Sequence, residues 1–394
     1  MSMIHCHDDK QLVILDQHIY LSHIYAHTKD WRNFTIVDSR KNLTWRKDLF
    51  YVERPFRMTI NTEQIKKKKK KKKKNMKRSY DEAFNENQED LILKLNEAVN
   101  FCKSKLLLNN DDLLIQTEHT FNSIPFAEIA TQQCNNIPSI RQINLTDYFL
   151  RASKLGIQTN ILYSHNKNHP SIIDTAFAGQ IILPEQCRFL WSDIKNSTLL
   201  VSEGTKYSFI VLDPPWMNKS VRRKRPYNWS DFNDIKNLPI EHLIDRTRSS
   251  LICCWSTNCD RIEEFIKNDL FNKWNCQYLT TWYWLKITRS GEPILDLTSI
   301  DKKSYETLIL GYTGNDDKFN SLKDTTKILC SIPALIHSTK PALHLLFQNL
   351  INFPNNEIDN CLELYARNLL PNFTSIGNEV LKHQSIDLFE EINL

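Results

Sequence analysis

The chain has 394 residues, 41% apolar and 25% charged, enough for two or three domains and a large core. Its net charge of +5 comes from one tract: without the nine consecutive lysines Lys66–Lys74, 42 basic residues face 46 acidic ones, which excludes a uniformly basic nucleic-acid binder. Seven glycines, with no G-x-G-x-x-G and no P-loop, exclude the ordinary dinucleotide and NTP sites. The ten cysteines are scattered without a C-x-x-C pair and read as reduced thiols in a nuclear or cytosolic protein. His5-Cys6-His7-Asp8 is the nearest approach to a metal cluster, but its place near the terminus reads as structureless, and no metal site is expected. No apolar run reaches a membrane span, and residues 1–25 carry no signal-peptide pattern.

Residues 1–64 alternate short apolar runs (Gln11–Asp16, Asn33–Val37, Leu49–Val52, Phe56–Ile60) with polar turns and read as a small β-rich module. Residues 65–87 read as a lysine-rich linker, since like charge over that length stays solvated. The tract, followed by Lys77-Arg78, fits nuclear import or a tether to RNA, or a tolerated homopolymer in a loop. Residues 88–169 read as a helical middle region, with Leu91, Leu95, Val99, Cys102 and Leu106 at helical spacing and a second helix over Thr146–Leu155.

From residue 170 to 394 the pattern is α/β. Strands are expected at Cys187–Trp191, Tyr207–Leu212, Ser250–Trp255, Gln277–Ile287, Tyr305–Tyr312, Asn360–Tyr365 and Phe373–Ile376. Helices are expected near Pro239–Asp245, Cys259–Asp269 and Pro341–Phe353. Strands alternating with helices over such a length predict one doubly wound sheet covered on both faces.

The central motif is Asp213-Pro214-Pro215-Trp216, directly after an apolar strand. Neither proline has an N–H for the ladder, so the strand ends there and Asp213 stands at its carboxyl end, where ligands bind in open α/β sheets. A carboxylate and a proline-fixed carbonyl can accept the two N–H groups of the adenine amine, and an aromatic ring gives a flipped base a face to stack on. The alternative is a strand-ending Asp-Pro turn beside a core tryptophan. Asp193, with Ile194, follows the preceding strand and can share the same edge, or serve only as a turn aspartate.

Downstream, His337-Ser338-Thr339-Lys340-Pro341 opens a helix, with Ser338 or Thr339 as cap. A cation before a helix N-terminus is unfavourable unless an anion meets it, and the carboxylate of S-adenosylmethionine is such an anion. Glu363 lies in a late strand and can grip ribose hydroxyls, or simply cap or pair; Asn378 and Glu379 follow the next strand and can add to that grip. Asn218, Lys219, Arg222, Arg223, Arg225, Tyr227 and Trp229, in the loop after the motif, combine cations with aromatics and fit phosphate contact plus base stacking, or a solvated loop.

Together these stretches resemble the adenine-N6 methyltransferases typified by the catalytic subunit of the mRNA adenosine methyltransferase. The matching pieces are Asp213-Pro-Pro-Trp216, Ser338-Thr-Lys340-Pro341, Glu363-Leu-Tyr-Ala-Arg367 and Gly377-Asn378-Glu379, in that order. Asn218-Lys-Ser-Val-Arg222, Ile332-Pro-Ala-Leu-Ile-His337-Ser338 and Gly377-Asn-Glu-Val-Leu-Lys382 look most like the methyltransferase-like protein 4 branch. The resemblance spans about residues 170–385 and implies a Rossmann-like methyltransferase sheet of permuted order, with the catalytic motif ahead of the cofactor-binding strand. It implies S-adenosylmethionine as donor and no metal. It places Asp193, Ile194, Lys340, Arg367, Asn368, Asn378 and Glu379 on cofactor contacts and Asp213 to Trp216 on the catalytic turn. The run Arg367-Asn368-Leu-Leu-Pro371 is shorter than in the mRNA enzyme, which puts Asn368 in doubt. The implied activity is N6 methylation of adenine in RNA, notably 2′-O-methyladenosine in small nuclear RNA, by a single chain in the nucleus or also the cytoplasm. DNA adenine methylation and non-catalytic RNA binding are the alternatives.

Overall fold

The computed structural model describes residues 4–6, 11–15, 17, 23–26, 28–30, 37–41, 43–45, 50, 52, 81–108, 161–175, 179–216, 231–299, 302–314, 319–334, 336, 339–344, 346–347 and 360–391. The lysine tract, Thr146–Leu155, the loop bearing Asn218 to Trp229, and Ser338 lie outside them.

One eleven-stranded sheet organises these residues. Its strands in chain order are β1 (Ile4–Cys6), β2 (Leu12–Leu15), β3 (Ile161–Ser164), β4 (Arg188–Trp191), β5 (Phe209–Leu212), β6 (Ser250–Ser256), β7 (Gln277–Lys286), β8 (Tyr305–Thr313), β9 (Ile328–Ser331), β10 (Cys361–Leu364) and β11 (Phe373–Gly377). Across the sheet they run β1-β2-β9-β7-β8-β6-β5-β10-β11-β4-β3. The five strands β6-β5-β10-β11-β4 are mutually parallel, and β8 inserts antiparallel between β6 and β7. The seven expected strands all form within a residue or two of their expected ends. Strand β9, the strands Ser171–Thr175 and Gly179–Leu183, and β3 inside the stretch expected to be helical were not anticipated; His5 and Cys6, expected to be structureless, lie in β1 because it pairs with β2.

Strand β5 shows why both faces are covered. Phe209 and Val211 join one apolar cluster with Leu251, Cys253, Cys361 and Phe373; Ile210 and Leu212 join another with Ile252, Cys254, Leu362 and Ile376. A strand buried on both faces reads as a continuous apolar run, and Phe-Ile-Val-Leu is one. The helical segments Phe232–Lys236, Ile240–Leu243 and Asp260–Lys273 pack on the second face. On the first lie Leu343, Leu346 and Phe347, from the described part of the helix expected after Lys340.

The N-terminal and middle stretches differ from the expected separate units. Strand β2 pairs parallel with β9, Leu43–Trp45 pairs with Phe389–Glu391, and Thr28–Asp30 pairs with Ser171–Thr175. Helix α1 (Asp81–Leu108) lays Leu95, Ala98, Val99 and Cys102 on Ile14, Leu285, Ile328 and Cys330. The physical reason is that an apolar strand at a sheet edge needs a pairing partner and a cover. Leu95→Ala should therefore lower the stability of one common urea transition by about 2–4 kcal/mol, followed by circular dichroism. A separate helical transition, with the sheet midpoint unchanged, would contradict this packing.

Candidate active site

Asp213 leaves β5 at the carboxyl edge, with its N–H still reaching Leu364 O at 3.4 Å. The prolines then end pairing, and the Trp216 N–H closes back on the Pro214 carbonyl at 2.8 Å. The turn so formed has acceptors and almost no free donors.

Trp216 is only 4% exposed. Its Nε1 donates to the Trp255 carbonyl at 2.8 Å, and its ring meets Phe232 and Phe265 edge-on at 6.2 and 6.5 Å. Those two phenyl rings stack on each other at 4.3 Å. The expectation that Trp216 offers a flat face to a base is thus corrected. A large ring with a partnered N–H gains more from core burial, and here it anchors the turn.

Around Asp213 runs a line of alternating charges. Lys286 pairs with Glu306, and Glu306 Oε2 with Lys340 at 2.9 Å. Lys340 pairs with Asp213 Oδ1 at 3.2 Å, and Arg367 Nη1 donates to Asp213 Oδ2 at 2.9 Å. Arg367 Nε continues to Glu379 Oε2 at 3.2 Å, and Lys382 closes the line on Glu379 Oε1 at 2.9 Å. Burial opposes ionisation of Glu306, yet Lys286 and Lys340 hold its carboxyl far below the usual range. Burial likewise opposes the charge on Lys340 and Arg367. Asp213 with Glu306, and Asp213 with Glu379, more than offset it and raise both groups. Lys340 also lies 5.7 Å from the centre of the Trp255 ring.

Glu363 behaves differently. Burial first, and Asp213 second, push its carboxyl up to about 8, against a smaller pull from Arg367. Its Oε2 is buried without a hydrogen-bond partner, and so is the hydroxyl of Ser375, its register neighbour on β11. Buried orphan polar atoms beside a charged edge call for a polar ligand. That fits a nucleoside with hydroxyl groups, which these residues can receive.

The turn after β10 is built for closeness. Tyr365 adopts φ +63°, a costly conformation for an aromatic residue. A Cβ on Gly377 would come within 2.9 Å of the Ala366 carbonyl oxygen, so only glycine lets the two strand-end turns meet.

Of the expected residues, Asp213, Lys340, Glu363, Arg367 and Glu379 are brought together. Glu379 is engaged by Arg367 and Lys382, where a sugar contact was expected. Asn368 lies in the turn beside Arg367, and the Asn378 carbonyl accepts from Trp191 Nε1 at 3.0 Å. Asp193 stands on the same edge three strands from Asp213, where it accepts the Lys195 N–H and caps the short helix Ile194–Ser197; Ile194 is buried. Lys286 and Glu306 were missed. The only hint was a lone acid in the otherwise apolar run Tyr-Glu-Thr-Leu-Ile-Leu. Among the described residues, no group of three or more His, Cys, Asp or Glu is placed to hold a metal ion.

A mostly parallel sheet that gathers acids and cations at the carboxyl ends of its strands defines a Rossmann-like α/β domain. Comparison with known proteins agrees. Residues 207–379 match the model of the MT-A70 family. The N(6)-adenine-specific methyltransferase METTL4 of Mus musculus is 35% identical over 270 residues, covering 66% of this chain and 56% of the mouse protein. The N6-methyladenosine RNA methyltransferase MTA1 of Cryphonectria parasitica is 35% identical over 244 residues, covering 56% of this chain and 70% of that protein. A DNA N6-methyl methyltransferase of Caenorhabditis elegans is 28% identical over 392 residues, covering 97% of this chain and 98% of its own. The chain belongs to the MT-A70 family, and it spans about half the length of the mouse relative.

Two measurements check this geometry. Trp216→Phe removes the N–H that serves the Trp255 carbonyl and should cost about 1–3 kcal/mol, read as a lowered Tm; an unchanged Tm contradicts the anchoring role. Glu363, raised from 4.5 to about 8, keeps in the fold a proton that the unfolded chain gives up. Stability should therefore fall as pH rises across that window. Glu363→Gln should gain Tm over the parent between pH 5.5 and 8.5, whereas parallel curves would remove the effect.

Proposed function

We propose that this chain is an S-adenosylmethionine-dependent methyltransferase acting on the exocyclic N6 amine of adenine in nucleic acid. The observation that carries the reading is Asp213, fixed by Lys340 and Arg367 at the sheet edge beside a turn that accepts hydrogen bonds. The amine is a poor nucleophile because its lone pair spreads into the ring. Asp213 and the Pro214 carbonyl accept its two N–H bonds and turn the nitrogen towards the electrophile, so orientation supplies most of the acceleration. When bound, the cofactor supplies a sulfonium methyl: the nitrogen pair forms the N–C bond, the C–S pair leaves to sulfur, and the methylated amine gives one proton to solvent. Asp213 acts as a positioned acceptor, because that proton becomes acidic only once the methyl is attached.

For the cofactor, Lys340 meets the carboxylate of its amino-acid end, Glu363 and Asn378 receive ribose hydroxyls, and Asp193 with Ile194 faces the adenine. Ser338, Arg367, Asn368 and Glu379 complete the slot. For the nucleic acid, Asn218, Lys219, Arg222, Arg223 and Arg225 contact phosphates. With Trp216 committed to the core, Tyr227 and Trp229 take over base stacking.

RNA is the preferred substrate, with 2′-O-methyladenosine of the small nuclear RNA type first. DNA is the second reading, favoured by the Caenorhabditis elegans relative, which is named for DNA. The chain acts alone, without metal, in the nucleus or also the cytoplasm. The test is to incubate it with labelled donor and matched RNA and DNA oligonucleotides, digest to nucleosides and identify the product. N6-methyladenine is expected, and Asp213→Ala should lower its yield at least about a thousandfold while cofactor binding partly persists. Normal turnover by that variant would sink the mechanism. RNA binding with no cofactor heat in calorimetry would favour a non-catalytic module.

A further inference from the structure

Glu363 and Ser375 are register neighbours on β10 and β11, and Val211 on β5 flanks Glu363 on its other side. The face they share is apolar: Phe209, Val211, Cys361 and Phe373 lie on it, covered by Leu346 and Phe347. Into this layer the chain sets a carboxyl whose Oε2 has no partner and a hydroxyl, fully buried, that also has none. Neither atom contributes to the fold, and both would be better tolerated as apolar groups if folding were their only duty.

Among the described residues, the surrounding charges leave Glu363 without a dedicated cation. From β5 comes Asp213, a like charge; from the turn after β10 comes Arg367, already divided between Asp213 and Glu379. From the covering segment, Lys340 is committed to Asp213 and Glu306. His344, edge-on to Phe373, is held neutral by burial. The carboxyl is correspondingly pushed up to about 8 by burial, with Asp213 adding and Arg367 opposing, and at neutral pH it carries its proton.

We propose that Glu363 reads the charge of the cofactor: it gives its proton to solvent when a sulfonium binds and keeps it when the bound molecule is the neutral thioether product. The inference rests on the reading of this edge as an S-adenosylmethionine site. A positive charge several ångströms away raises the acidity of a carboxyl roughly ten- to a hundredfold. The step is a plain ionisation, Glu363–COOH to Glu363–COO⁻ plus one proton. The donor then gains an ionic attraction that S-adenosylhomocysteine does not, and methyl transfer itself weakens the hold on the product.

The test is calorimetry on the whole chain at pH 7.5, in buffers of different ionisation enthalpy, with S-adenosylmethionine and S-adenosylhomocysteine. The sulfonium also acidifies the donor's own amino group, so the readout is the difference between parent and Glu363→Gln, in which that contribution is shared. The excess proton release with the sulfonium over the thioether should be roughly half a proton larger in the parent than in Glu363→Gln. Between pH 6.5 and 8.5 the affinity ratio of donor to product should climb severalfold more in the parent than in the variant. If the variant binds neither molecule, the parent's ratio still decides: a flat ratio overturns the proposal. Equal proton release by parent and variant overturns it as well while leaving the cofactor site intact. Absence of heat from the parent with either molecule overturns the cofactor site and this inference together.

Discussion

The ion pairs of Asp213 with Lys340 and Arg367 are the constraint around which the carboxyl edge of the sheet is arranged. A buried charge is costly unless opposite charges touch it, and removing one partner exposes the rest to that cost. Here each interior member of the line touches two opposites, so Glu306, Lys340 and Arg367 keep their charges in a water-poor place. The arrangement needs the permuted strand order. Only because β10 lies beside β5 does Arg367, 154 residues later, reach Asp213. Only because β8 runs antiparallel does its first turn of chain, with Glu306, arrive at the carboxyl end of the parallel strands.

Polar precision at this edge depends on apolar rigidity beneath it. Trp216 fixes the far end of the Asp-Pro-Pro turn through one hydrogen bond and two ring contacts. One of those rings, Phe265, begins the π-helical stretch Phe265–Leu270, a local widening that inserts an extra residue per turn. Gly377 plays the matching part on the other side, letting the turn that carries Arg367 close onto β11. A bulkier residue there would push the guanidinium away from both of its carboxylates.

How much of this was legible in the sequence follows from range. Strand β5 and its terminating prolines are local facts, and Phe-Ile-Val-Leu-Asp-Pro-Pro announces both the strand and its end. Lys340 stood out because a cation misplaced before a helix implies an anion; the anions turned out to include Asp213 and Glu306 of the chain itself. Glu306 and Lys286 were illegible because their role comes from pairing across an antiparallel insertion, which no local pattern encodes. Strand β9, only Ile-Leu-Cys-Ser, is too short for periodicity to register. Trp216 was misjudged for the reason that makes tryptophan ambiguous everywhere: the same ring suits a stacking platform and a core, and only its neighbours decide.

The missing glycine-rich turn has a physical meaning. Dinucleotide sites present free backbone N–H groups, donors for the acceptor oxygens of a pyrophosphate. The turn after β5 does the opposite. Pro214 and Pro215 contribute carbonyls and no N–H, the Trp216 N–H is spent inside the turn, and Asp213 adds two further acceptors. A turn that accepts but does not donate rejects a phosphate and suits an amine. The cations that would attract an anion, Lys340 and Arg367, lie on either side of Asp213 instead of in the turn. Donor-seeking and anion-seeking groups are thereby separated by a few ångströms on one edge.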